Sequence, residues 1–274
     1  MAHEGHGNHW QSVLGDVEEI DRWLPLALQQ GRLDHGSKAS PAAGEAIGII
    51  WPDSHLCCLS IVSAASENPK PELVLTSAYP FAARGTRHRL KVDEIVPWQN
   101  GLEAWIKTRV PGIDGLSLTF FDSRYYASRD RLSVGVEAEF IIAGLAYTAE
   151  VAHPEIVRID EPEKIRAMRA GTERADDLSP IEIDLKGAAI LFARDEYAPD
   201  EYEFSGPVRT IESFDAFGTR ITCLTSTLLR LVDSDDLDFD VTLYISDHAW
   251  RTNERALPGA DVRGFLWLQG YLAT

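Results

Sequence analysis

The sequence has little of what would stabilise a secreted protein or anchor a membrane protein. Three cysteines, an odd number, occur among 274 residues: Cys57, Cys58 and Cys223. No apolar run reaches the roughly 18 residues that a membrane span requires, and the N-terminus lacks the basic-then-apolar order of a signal peptide. These absences argue against a disulfide framework and predict a soluble, cytoplasmic protein with free thiols and no membrane partner.

Recognisable catalytic motifs are also missing. The chain contains no Gly-x-Ser-x-Gly elbow, no His-Glu-x-x-His, no phosphate loop and no Cys-x-x-Cys. His55, His88, His153 and His248 are scattered, and nothing in their spacing brings them together. We therefore expect no catalytic residue and no cofactor, and the sequence favours a protein that is not an enzyme.

Basic residues are scarce. Lys and Arg number 26 against 43 Asp and Glu, which gives a net charge of -17. A surface of this charge repels nucleic acid on average, so we expect no binding to duplex DNA. Residues 84–109 reverse the balance locally, with six basic and three acidic side chains: Arg84, Arg87, Arg89, Lys91, Lys107 and Arg109 against Asp93, Glu94 and Glu103.

Two clusters could suggest a metal site, and the sequence favours another explanation for each. His3, His6 and His9 are spaced by three within the first nine residues, which have two glycines and no hydrophobic periodicity. This pattern predicts a mobile tail, where imidazoles lack the oriented partners of a metal centre. The acidic run 233–240 lacks the Gly and Glu of a calcium-binding EF-hand loop, and predicts a solvated loop before a strand. We predict no metal.

The chain divides by composition into an N-terminal extension and two strand-rich parts. The extension carries an amphipathic helix over 13–28, limited by Pro25, and strand-favouring runs at 47–51 and 56–63. Beyond residue 70 strands and turns dominate, apart from a charged stretch with a short helix near 163–169. The predicted parts are an α+β extension (1–70), a first domain (71–157), a linker (158–180) and a second domain (181–274).

The two strand-rich parts end in similar segments. "VEAEFIIAGLAYTA" in the first resembles the final "DVRGFLWLQGYLAT" in the second, and matching residues lie about 125 positions apart. The matched pairs are Gly135 and Gly259, Phe140 and Phe265, Gly144 and Gly270, and Tyr147 and Tyr271. A strand that closes a barrel pairs on both edges, which explains an apolar run at the end of a domain.

This order of strands resembles the OB-fold, a small Greek-key barrel that binds oligonucleotides or oligosaccharides. The resemblance covers about residues 84–150 and 181–274, and no single family is matched. It implies a mainly β (α+β) protein: two small antiparallel OB-like barrels in tandem, preceded by the α+β extension.

One surface is a candidate ligand-binding site. If Leu102, Ala104 and Ile106 face the core of the first barrel, alternation along the strand points Trp105, Lys107 and Arg109 outward. On the next strand the same alternation points Phe121 outward. Aromatic rings beside cations are what single-stranded nucleic acid and sugars bind. The alternative is that Trp105 and Phe121 pack under the N-terminal helix or against the other barrel.

Three functions follow as hypotheses. The first is a non-enzymatic adaptor or scaffold that binds another protein or associates with itself. The second is a binder of single-stranded nucleic acid or oligosaccharide through Trp105, Lys107, Arg109 and Phe121. The third, a hydrolase with an unrecognised site, predicts a pocket in which a histidine meets a carboxylate.

Overall fold

The chain is mainly β with a few short helices, as the sequence predicts. The computed structural model describes His6 and residues 9–35, 37, 45–64, 73–111, 116–153, 155–230 and 238–273. Within these ranges no helix is long and apolar enough to cross a membrane.

The helices and strands have the following bounds. Short 3-10 helices cover His9–Ser12, Val17–Glu19 and Arg129–Arg131, and the α-helices are α1 (Ile20–Gln30), α2 (Tyr125–Ser128) and α3 (Pro162–Arg169). The strands are β1 (Arg32–Leu33), β2 (Ala46–Trp51), β3 (Leu56–Ala64), β4 (Leu73–Ala82), β5 (Thr86–Pro97), β6 (Ala104–Arg109), β7 (Ser117–Asp122), β8 (Glu137–Ala152), β9 (Ile156–Ile159), β10 (Ile181–Asp184), β11 (Ile190–Ala193), β12 (Glu201–Ala216), β13 (Thr219–Leu229), β14 (Phe239–Ser246) and β15 (Asp261–Leu272).

The N-terminal helix differs from its prediction in where it starts and ends. The side chain of Asp16 accepts a hydrogen bond from the backbone of Glu18 and caps the 3-10 turn that leads into α1. Pro25 lies inside α1 and does not limit it. The chain becomes extended at Gly31, where a Cβ atom would lie 2.4 Å from both the Ala27 carbonyl and the Ile49 side chain. The close approach of helix and sheet therefore requires glycine here.

Strands β1 to β4 form one antiparallel sheet in chain order. Strands β2 and β3 confirm the two strands predicted at 47–51 and 56–63. Almost every residue of β3 is buried, because this strand lies at the centre of the sheet and packs against the rest of the molecule. The N-terminal part of the chain, through β4, thus forms a covering layer for the strands that follow.

The remaining large sheet closes into two five-stranded circuits that share β8 and β15. The first circuit runs β5, β6, β7, β15 and β8, with β7 parallel to β15. The second runs β12, β13, β14, β8 and β15, with β14 parallel to β8. Each circuit therefore takes its fifth strand from the other half of the chain.

The shared strands explain why the chain ends on an apolar run. Strands β8 and β15 pair antiparallel from Phe140 with Leu272 to Ala152 with Asp261. On its other edge β15 pairs with β12 and then with β7, so both of its edges are hydrogen bonded, as expected of a closing strand. Because one shared strand comes from 71–157 and the other from 181–274, neither half closes its circuit alone. Two separate OB-like barrels, their tandem repetition and the domain boundaries stay predictions.

One apolar core runs through both circuits. Large side chains from the first circuit, such as Phe120 and Phe140, join those of the second, such as Leu243 and Leu266, in one continuous cluster. A second cluster lies between the outside of the circuits and the N-terminal sheet, and includes Trp267. The molecule therefore has two apolar layers, with the shared strands contributing to both.

A buried ion pair ties the N-terminal layer to the first circuit. Asp34 follows β1 and is 2 % exposed. The Arg124 guanidinium, just after β7, donates to both of its carboxylate oxygens, and Tyr126 donates to it at 2.7 Å. Arg124 also lies 4.5 Å above the ring of Tyr271. The two carboxylate oxygens of Asp34 thus accept three hydrogen bonds, two from Arg124 and one from Tyr126.

The stretch predicted as a linker contains α3 and largely exposed turns. This helix lies where a short one was predicted, and Ile165 is its one buried side chain. On either side of α3, β9 and β10 pair with each other in a separate two-stranded sheet. Whether the stretch acts as a linker between domains stays a prediction.

Candidate functional site

The structure brings two of the predicted site residues directly together. Trp105 on β6 pairs with Phe121 on β7, so the two rings lie on one face, as the alternation predicts. Lys107 and Arg109 follow on the same strand and are exposed, and Arg109 forms an ion pair with Asp93 at 3.1 Å. Trp105 is half-buried, whereas Phe121 is fully buried.

Phe121 is buried because the N-terminal layer covers this face of the first circuit. Its ring centroid lies 5.0 Å from those of His6 and Tyr79, and 5.2 Å from that of Trp267. Trp105 also packs, 5.5 Å from Trp98. Phe121 therefore points out of the first circuit with Trp105, as the alternation predicts, but it is covered rather than exposed, which is the packing alternative for this residue. A binding role for Trp105, Lys107 and Arg109 stays a prediction.

The N-terminal histidines are part of this covering. His6 is 7 % exposed, and its ring stacks on Trp98 at 4.8 Å. His9 stacks on Trp267 with ring centroids 3.8 Å apart. The expectation of a mobile tail is wrong for these two residues, because they fill an aromatic cleft of the folded chain. His3 lies outside the described residues.

Glu103 sits at the centre of a buried hydrogen-bond cluster. It accepts from His6 Nε2 at 2.6 Å, from Ser77 Oγ at 2.8 Å and from Asn100 Nδ2. Burial alone raises the pKa of this carboxyl, but the bonds from His6, Asn100 and Ser77 outweigh burial, and the pKa lies below its usual value. Glu103 is thus held as a buried carboxylate with three donors.

A second cluster connects His9 to the start of β12. Tyr147 donates its hydroxyl proton to Glu201 at 3.0 Å, so its oxygen accepts from His9 Nδ1 at 2.5 Å. Burial, followed by the neighbouring charge of His6, lowers the pKa of His9 to about 3. The imidazole is therefore neutral in the folded protein at neutral pH.

The His6 and Glu103 pair is the feature that the enzyme hypothesis predicts. Both residues line a cavity of about 510 Å³ between α1, β4 and the turn before β6, together with Ser77. In a serine nucleophile site the histidine lies between the hydroxyl and the acid. Here Glu103 lies between Ser77 and His6, so the imidazole does not activate the hydroxyl, and this geometry favours a role in packing.

A different surface offers aromatic side chains to solvent. On the outside of the second circuit, four adjacent strands align two rows of residues across β11, β12, β15 and β8. The rows form the floor of an open groove of about 510 Å³. The first row is Phe192, Glu203, Phe265 and Thr148, and the second is Ile190, Ser205, Arg263 and Glu150.

The groove is apolar along one side and carries ion pairs on its floor. Phe192 is 55 % and Ile190 43 % exposed, although both are large apolar side chains. Tyr197 forms a wall, with its ring 4.5 Å from that of Phe265. The sequence carries a signal for this surface, because Ile190 and Phe192 alternate around Leu191, which packs against the core. Neither Ile190 nor Phe192 is among the residues predicted to bind a ligand.

No metal centre emerges from the described parts of the chain. Within them, no group of three or more His, Cys, Asp or Glu side chains could hold an ion. Most of the acidic run 233–240 lies outside the described residues.

Comparison of the chain with protein-family models, with curated proteins and with solved structures found no match.

Proposed function

We propose that this protein is a non-enzymatic binding protein, an adaptor whose protein partner inserts apolar side chains into the groove over β11, β12, β15 and β8. The observation that carries the proposal is the exposure of Ile190 and Phe192 beside Phe265 in a concave surface. Concave sites with aromatic walls and a few polar groups are typical of binding sites.

Burial of the apolar side chains of the groove by a protein partner is favourable compared with their exposure to water. Burying a large apolar side chain fully contributes about 1.5 to 3 kcal/mol, and aromatic anchors dominate protein interfaces. The floor charges Arg263 and Glu150 already pair at 2.7 Å. A partner that covers them therefore need not supply a countercharge for either one, which reduces the cost of removing water.

The test is selection of peptides from a random display library on the purified protein. We expect selected peptides rich in apolar residues, with Phe192→Asp weakening their binding at least about tenfold, which corresponds to about 1.4 kcal/mol. Val134→Asp is the matched control, because Val134 is 64 % exposed in a turn of the first circuit. Equal loss in both variants, or no selected peptide, would contradict the proposal.

The second candidate is a binder of single-stranded nucleic acid or oligosaccharide. Its support is the exposure of Lys107 and Arg109 beside the half-buried Trp105. Titration with oligothymidylate and with a β-linked oligosaccharide at low salt tests it. This candidate predicts binding that Lys107→Gln weakens, whereas the adaptor proposal predicts no binding of either probe at this face.

We also propose a cytoplasmic location. Cys57, Cys58 and Cys223 are free and buried, and burial raises the pKa of the Cys57 thiol to about 11. Unpaired, protonated thiols fit a reducing compartment. The oxidation state of these cysteines in cell extracts, measured by thiol alkylation, tests the proposal.

A further inference from the structure

Among the residues that the structure describes, one charged side chain of the groove has no partner of opposite charge. Of its charged side chains, Arg263 pairs with Glu150 at 2.7 Å, and Glu203 pairs with Arg194 at 2.8 Å. Arg251 also lines the groove, and its guanidinium has neither an ion pair nor a hydrogen bond to any residue that the structure describes.

Arg251 has a fixed place relative to the floor of the groove. Its backbone N–H donates to the carbonyl of Ala149 at 2.9 Å, which holds it beside β8. Its β8 neighbours at this point, Thr148 and Glu150, end the two rows of the floor. The Thr148 hydroxyl is buried and has no hydrogen-bond partner among the residues that the structure describes. The exposed guanidinium of Arg251 is therefore the donor that the corner of the groove opposite Phe192 offers to a bound segment.

We infer that the groove selects protein segments that carry a carboxylate close to apolar side chains, with Arg251 as the carboxylate's partner. This inference rests on the proposed function and names the chemistry of the bound segment. The guanidinium binds planar carboxylates in a two-pronged geometry. The apolar side chains of the segment then lie over Phe265 and Phe192.

The overall negative charge of the protein opposes the binding of acidic peptides. A protein of net charge -17 attracts basic peptides over most of its surface. Selection of acidic peptides therefore runs against the average field, and a local site must cause it. At physiological salt the Debye length of about 8 Å limits the repulsion from distant carboxylates.

The experiment sequences peptide pools selected from random libraries on the full-length wild-type protein and on the variants Arg251→Gln, Arg255→Gln and Phe192→Asp. Arg255 is the matched control, because it is a nearby exposed arginine that already pairs with Asp247. One library presents free C-termini and another blocks them, which distinguishes a C-terminal carboxylate from an Asp or Glu side chain.

We expect the wild-type and Arg255→Gln pools to be enriched in a carboxylate beside apolar residues. The Arg251→Gln pool should keep the apolar enrichment and lose the acidic one, and a selected acidic peptide should bind that variant about fivefold more weakly. Apolar enrichment without acidic residues on the wild type overturns this inference and leaves the adaptor proposal standing. Acidic enrichment that survives Arg251→Gln also overturns it. A wild-type pool without apolar enrichment contradicts both.

Discussion

The indole of Trp267 donates a 2.7 Å hydrogen bond to the carboxyl of Asp200, and both residues are buried. Burial is the largest influence on this carboxyl and raises its pKa to about 7, although the bond from Trp267 acts in the opposite direction. In the unfolded chain an aspartate has a pKa of about 3.9. Between these two values the folded protein holds a proton at Asp200 that the unfolded chain has released.

The first prediction concerns how stability depends on pH through this carboxyl. Because folding raises the pKa, Asp200 favours the unfolded chain increasingly as the pH rises from about 4 to about 7. Asp200→Asn keeps an acceptor for Trp267 and cannot ionise. We expect the variant to gain stability relative to the wild type over this range, by about 1.4 kcal/mol per pH unit. Urea unfolding followed by circular dichroism measures it, and parallel pH profiles would contradict it.

His9 gives the opposite dependence. Its pKa of about 3 in the folded state lies below the unfolded value of 6.5, so the wild type loses stability as the pH falls through this window. We expect His9→Phe, which keeps a ring on Trp267, to lose less stability on acidification than the wild type. The control is His153→Gln, an exposed histidine paired with Glu254. If His9→Phe follows the wild-type acid profile, His9 does not carry this dependence.

The ion pair between Asp34 and Arg124 should couple the N-terminal layer to the first circuit. Arg124→Met leaves Asp34 as a buried charge without its partner, and we expect a loss of about 3 to 5 kcal/mol in the free energy of unfolding. Asp34→Asn combined with Arg124→Met should cost clearly less than the sum of the two single changes. The exposed pair of Arg32 and Asp53 is the control, with an expected coupling of about 0 to 1 kcal/mol. Additive losses at Asp34 and Arg124 would show that they are not coupled.

Gly264 should tolerate no side chain. A Cβ atom there would lie 1.9 Å from the carbonyl oxygen of Thr148, which belongs to the ladder between β15 and β8. We expect Gly264→Ala to destabilise the protein by about 3 kcal/mol or more, because backbone has to move. At Gly270 the atoms nearest to an added Cβ belong to the side chains of Phe120 and Ile142, so Gly270→Ala should cost less. Thermal unfolding compares them, and the reverse order would contradict the prediction.

Removal of residues 265–274 should unfold both circuits together. Leu266, Trp267 and Leu268 are 0 % exposed, and each large apolar side chain contributes about 1.5 to 3 kcal/mol on burial. Since β15 belongs to both circuits, we expect no residual cooperative transition. Amide hydrogen exchange read by mass spectrometry tests this, and persistent protection of β5 and β6 in the truncated protein would show that the first circuit folds alone.

The sequence alone determined the mainly β class and the pairing of the terminal strand on both edges. Runs of strand-favouring residues located β2 and β3. Alternation placed Trp105 and Phe121 on one face, because a strand turns successive side chains to opposite sides. The apolar run at 265–272 predicted a strand paired on both edges, since side chains buried on both faces make a strand uniformly apolar.

Only the tertiary structure decided what covers each face. The alternation that grouped Trp105 with Phe121 contains no information about the N-terminal segment, more than 90 positions away, that brings His6 against Phe121. Both circuits share β8 and β15, and this sharing depends on pairings between residues over 100 positions apart, such as Phe140 with Leu272. The same long-range closure leaves Phe192 exposed and Phe121 buried, although both are aromatic residues on strands, because burial depends on which surfaces meet in space.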